Sequence, residues 1–168
     1  LNGASGFIIR TNLISGNMDS ALTIFGGGNH TVQDNLIGTN QLGTQPLPNR
    51  SGVGIGLGSQ NNLIGGPTGG DRNIISSNTF GAVTVFSPTS INNTIEGNYI
   101  GTDATGTAAL VSLDHGIRLA EVSGCLVKNN LVAGNNQSGI LLHAGAHGNS
   151  VVGNLVGTNQ AGTAAFRN

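Results

Sequence analysis

One cysteine, one methionine, one tyrosine, no tryptophan and four prolines occur in 168 residues. The single thiol, Cys125, excludes an internal disulfide framework and any Cys-based zinc site. Charge is equally scarce: six Lys and Arg stand against seven Asp and Glu, for a net charge of -1. No basic face is available for electrostatic binding of nucleic acid. No apolar run approaches the roughly 18–20 residues of a membrane span, so none is expected. What is abundant is glycine, with 29 positions, and asparagine, with 22. Such a composition can mark disorder, but 37% hydrophobic content, rich in Ile, Val and Leu, argues for a folded chain that bends often.

The bends are periodic. A block of Asn, an apolar residue, Ile or Val, two variable positions and Asn or Asp begins at Asn12, Asn35, Asn73, Asn98, Asn130 and Asn154. Between blocks run alternating pairs: Leu22/Ile24, Val53/Ile55, Val83/Val85, Ile117/Leu119 and Ile140/Leu142. Their intervening residues Thr23, Gly54, Thr84, Arg118 and Leu141 face the other way, the pattern of half-buried strands. A third apolar position precedes most blocks, at Ile9, Val32, Ile95, Val127 and Val151. No helical period is present. Three short strands per repeat cannot bury a face alone, so the repeats must stack, each coil about 4.8 Å from the next. The expected fold is all-β: a right-handed single-stranded parallel β-helix of about six coils, residues 7–30, 31–62, 63–93, 94–125, 126–149 and an incomplete sixth from 150. Residues 1–168 form one domain in this reading, a segment of a longer repeat protein.

Stacking gives asparagine its purpose. An amide carries donors and an acceptor, so Asn12, Asn35, Asn73, Asn98, Asn130 and Asn154 can bond coil to coil, where stacked carboxylates would repel. A second, partial ladder reads His30, Asn62, Asn93, Cys125, Asn149. Alternate coils extend the block into NLIGTNQLGTQPL (35–47), NYIGTDATGTAAL (98–110) and NLVGTNQAGTAAF (154–166). These read as small hairpins protruding from one edge, with turns at Asn40–Gly43, Asp103–Gly106 and Asn159–Gly162. Thr39/Thr44, Thr102/Thr107 and Thr158/Thr163 are expected to face each other across them. Asp103 stands where the other five coils carry Asn and reads as the same turn residue. GGPTGG (65–70) reads as a further loop.

The phrases NNTIEGNYIGTDATGTAAL (92–110) and NNLIGGPTGGDRNIISSN (61–78) resemble repeats of bacterial right-handed parallel β-helix repeat proteins, in the pectin-lyase-like fold group. The resemblance covers essentially the whole chain and implies secretion or attachment to the cell surface. It leaves function open, because that fold group holds lyases, hydrolases, epimerases, phage tailspikes and non-catalytic surface modules.

Sugar-active members of that group work on an outward strand face, which sets the test for the polar residues. Glycoside hydrolysis needs paired carboxylates, but Asp19 and Asp114 lie three coils apart, roughly 14 Å at the strand spacing. Glu96 is expected to pair with Lys128 at the surface. Asp114, His115, Arg118 and His143 form the best polar cluster, the candidate catalytic group, yet they lack the several oxygen ligands a calcium-dependent lyase requires. His143 and His147 do not share a helix face, so no metal and no cofactor is expected. A flat ice-binding face is interrupted by Gly54, Arg118 and Leu141. Phe25 and Phe86 end two strands and offer either packing or sugar stacking.

The reading is therefore a non-catalytic structural or adhesive module of a secreted or cell-surface bacterial protein, with polysaccharide an open option as ligand. The alternative is a polysaccharide-modifying enzyme using the Arg118 region. Further β-helix repeats, or another copy, are the expected partners at the open ends, where unpaired strand edges invite neighbours.

Overall fold

A computed structural model of the protein describes residues 2–168. The first coil contributes β1 (Ile8–Arg10), β2 (Leu13–Ile14) and β3 (Ser20–Phe25). The second adds β4 (Thr31–Gln33), β5 (Leu36–Ile37) and β6 (Ser51–Gly56), and the third β7 (Leu63–Gly65), β8 (Ile74–Ile75) and β9 (Val83–Phe86). The fourth holds β10 (Thr94–Glu96), β11 (Tyr99–Ile100) and β12 (Ile117–Ala120), and the fifth β13 (Leu126–Lys128), β14 (Leu131–Val132) and β15 (Ile140–His143). The sixth supplies β16 (Ser150–Val152) and β17 (Leu155–Val156). These build three sheets in order β1-β4-β7-β10-β13-β16, β2-β5-β8-β11-β14-β17 and β3-β6-β9-β12-β15. Every pairing between named strands is parallel. The fold is a right-handed parallel β-helix. Among the described residues helix is confined to a single 3-10 turn, Gly69–Asp71, at the end of the GGPTGG insertion.

The registers stack like on like. Val32, Ile64, Ile95 and Val127 line the interior from the first sheet, and Ile37, Ile75, Ile100 and Val132 from the second; all are fully buried. Ile55, Val85 and Leu119 complete the core from the third. Ile64 is a core position that the sequence pattern passed over. It lies nine residues before Asn73 rather than three, because the insertion separates them.

Asparagine forms columns beside this core. Asn35 donates its backbone N–H and its Nδ2 to Asn73 Oδ1, at 3.0 and 2.9 Å. The same double bond links Asn12 to Asn35, Asn73 to Asn98, Asn98 to Asn130 and Asn130 to Asn154. In the second column His30 N–H donates to Asn62 Oδ1, Asn62 to Asn93, and Cys125 N–H to Asn149 Oδ1. Its two departures from Asn each keep an acceptor. His30 Nδ1 takes the Phe7 N–H at 3.1 Å, and Asn93 donates to the Cys125 sulfur. Burial pushes the Cys125 thiol up, against those bonds.

A third column runs Asn17, Asn49, Asn78, then Ser112, Asn135 and Asn168. It corrects the reading of the last block position as a turn residue in every coil. In odd coils that position (Asn17, Asn78, Asn135) is a ladder rung; in even coils (Asn40, Asp103, Asn159) it opens a hairpin. The rung therefore falls five residues after the block begins in odd coils and fourteen in even ones.

The hairpins also differ from expectation. Thr39 pairs with Pro46, Thr102 with Ala109 and Thr158 with Ala165, two residues beyond the expected threonines. The four-residue turns themselves form as expected, Gly43 N–H donating to Asn40 O at 2.9 Å. A wider loop encloses them, Asn40 N–H reaching Gln45 O while Asn40 Oδ1 accepts from Thr44 and Gln45 N–H. Rather than projecting freely, the hairpins stack on one another. Ala104 N–H donates to Gly43 O, and Gln160 N–H to Gly106 O. Their column covers the outward face of the second sheet, where Ile74, Tyr99 and Leu131 pack with Leu36 and Ala104. Leu13, at the start of that row, is 48% exposed against 2% for Leu131.

Candidate functional site

The third sheet has the longest strands and carries no hairpin column on its outer face. Outward residues Thr23, Gly54, Thr84 and Arg118 lie in register across β3, β6, β9 and β12. They floor an open groove of about 480 Å³ that runs along the helix axis, crossing those strands. Its size falls within the usual range for small-ligand sites, roughly 300–1,000 Å³.

Phe25 and Phe86 form one wall, edge to face, with centroids 5.8 Å apart. Phe86 lies across Gly56, where a Cβ would come within 2.4 Å of the ring, so glycine there lets the aromatic pair close. Phe80, 55% exposed, stands at the other ends of the strands, with the Arg50 guanidinium 5.9 Å from its centroid. Arg118 and Glu121 close the groove toward the fourth coil. At Gly54 a Cβ would meet nothing within 4 Å, so the floor there is open space.

The structure arranges the four candidate catalytic residues as two pairs. Arg118 Nε donates to His143 Nε2 at 2.8 Å, which puts the His143 proton on Nδ1. Asp114 Oδ1 lies 3.5 Å from His115 Nε2, whose Nδ1 accepts the Ser138 N–H. Only Arg118 of the four lines the groove. The one carboxylate there is Glu121, a residue the sequence pattern does not single out because it sits at a corner between strands. Lys128 and Glu96 meet at 3.0 Å in register, but Glu96 is buried rather than on the surface. Asp103 is likewise nearly buried: burial alone would raise its pKa, yet hydrogen bonds from the Thr105 hydroxyl and from the Ala108, Thr107 and Gly106 N–H groups hold it below the ordinary value.

A second groove, about 460 Å³, lies between the hairpin column and the corner loop, over Leu13, Leu36 and Ile74. Arg72 bounds it, its guanidinium stacked 3.8 Å over the Tyr99 ring.

Residues 49–167 match the family described as periplasmic copper-binding protein (NosD). That span is most of the chain, and the chain belongs to this family of parallel β-helix repeats. No curated protein and no solved structure matches it. Among the described residues no helix is long and apolar enough to cross a membrane.

Proposed function

We propose that this NosD-family chain is a non-catalytic adhesive module of the cell envelope, secreted or held at the surface, that grips polysaccharide along its third face. The carrying observation is the groove itself. Aromatic rings flank a floor of threonine and glycine, the combination that receives the apolar faces and hydroxyls of sugars. Arg118 borders the groove, as the enzymatic alternative requires, but general acid and base roles on a glycoside call for two carboxylates. Glu121 is alone there.

The family name raises copper. Copper sites draw imidazole, thiolate or thioether donors to one point, and the residues present do not fit. Cys125 and His30 are buried rungs of one ladder, Met18 is 97% exposed, and His143 Nε2 is committed to Arg118. Among the described residues no three His, Cys, Asp or Glu side chains converge. The proposed role therefore runs through the groove and not through a metal.

Affinity electrophoresis in gels containing single polysaccharides, paired with assays for reducing ends and unsaturated products, tests the proposal. Retardation without product is expected. Product formation, or no retardation by any polysaccharide, overturns it.

A further inference from the structure

The charges lining the third-face groove are one of each sign. Arg118 and Glu121 border it together, and Arg50, at the Phe80 edge, lies 3.7 Å from Asp19. A polyuronate would bring a carboxylate with every sugar, and selecting it calls for a run of uncompensated cations. No such run borders this groove: Arg118 is the one cation that lines it, Glu121 lines it as well, and Thr23, Gly54 and Thr84 supply the rest of the floor. Stacking accounts for the pattern, because a cation repeated on successive coils would stand about 4.8 Å from its copy and repel it.

Shape gives the rest. The floor spans four coils, about 14 Å along the axis at the strand spacing. The aromatic walls stand at opposite strand ends, so a ligand lies along the axis, across the strands. Phe25 and Phe86 present an edge-to-face pair to its flank, and Gly54 leaves a notch under its middle.

From these observations, and resting on the polysaccharide reading above, we infer that the groove takes a neutral, linear glycan and discriminates against uronic-acid polymers. Gly54 is the specificity-determining position, since any side chain there stands in the ligand's path without touching the core.

The test compares wild type, Gly54→Leu, Phe80→Ala and Arg118→Ala in gels containing a soluble neutral β-glucan or polygalacturonate, with thermal unfolding of each protein. The expected result is retardation by the neutral glucan and not by polygalacturonate, at least tenfold weaker in Gly54→Leu at unchanged unfolding temperature. Phe80→Ala, at an exposed position, gives the same loss should Gly54→Leu not fold. Preferential retention by polygalacturonate, lost in Arg118→Ala, overturns the neutral class while leaving polysaccharide binding intact. Retention by the neutral glucan that neither Gly54→Leu nor Phe80→Ala weakens overturns the site. Retention by neither polymer overturns this inference, and failure across a wider panel overturns polysaccharide binding as well.

Discussion

Asn98 Oδ1 receives both the Nδ2 and the backbone N–H of Asn73, at 2.9 and 3.3 Å, with both residues fully buried. Asn73 in turn accepts two bonds from Asn35 and donates to Val32 O at 2.8 Å. Asn73→Ala would strand the Asn35 N–H and remove the Nδ2 donor from Val32 O, leaving Asn98 Oδ1 only the backbone N–H of residue 73. Leaving a buried polar group unpaired costs about 1–3 kcal/mol, so a loss of about 2–5 kcal/mol is expected. Asn12→Ala, at the exposed start of the same column, removes only outgoing Nδ2 bonds and should cost about 1 kcal/mol. Denaturant unfolding of the two variants measures the contrast; equal losses would contradict the ladder's role in stability.

The third column carries a flaw that substitution can mend. Ser112 stands where the other coils place Asn, and both its Oγ and Asn135 Oδ1 are buried without partners. Ser112→Asn supplies the missing donors to Asn135. The expected gain is about 1 kcal/mol, which for a chain of this size raises the unfolding temperature by about 2–4 °C. A fall in calorimetric Tm would mean that the fourth coil cannot hold the larger side chain.

Asp103 gives the hairpins a pH dependence that Asn40 and Asn159 lack. Its carboxylate accepts from Thr107 and Ala108 N–H and from the Thr105 hydroxyl, and its pKa in the folded protein lies below the ordinary 3.8. A depressed carboxylate stabilises fully above its unfolded pKa, and that contribution disappears as pH falls through the folded value. Asp103→Asn should match wild type near neutrality, because Asn performs the same turn in the neighbouring hairpins. Below about pH 4 its stability should fall less steeply than that of wild type. Parallel acid limbs would show that Asp103 is not titrating in this window.

Copper binding separates this chain's residues from its family's name. After incubation with Cu(II), or with Cu(I) under reducing conditions, and gel filtration, the protein should retain well under one equivalent. Stoichiometric retention, lost in His143→Ala or His147→Ala, would reveal a site that the dispersed donors do not suggest.

The architecture was legible because stacking repeats itself in the chain: alternating apolar pairs mark the third sheet, and Asn12 through Asn154 mark one column. Interruption hid the remainder. The GGPTGG insertion moved Ile64 away from its block, and nine-residue hairpins shifted the third column in every second coil. Hairpin stacking was not legible either, since Ala104 meets Gly43 across two coils. The groove depends on features with no local signature: Phe86 lying over Gly56, Phe80 in a turn, and Glu121 at a corner beside Arg118. Of the cluster from Asp114 to His143, proximity along the sequence does not show that Arg118 alone turns toward the groove.

At 16.8 kDa the protein suits amide-resolved NMR titration, which tests the central claim most directly. On addition of a retained polysaccharide, shifts should concentrate at Thr23, Gly54 and Thr84 amides and the Arg118 Nε–H, while the polymer's length stays constant over the titration. Shifts centred on Leu13, Leu36 and Ile74, or a polymer that shortens as the spectra are recorded, would contradict a non-catalytic glycan groove on the third face.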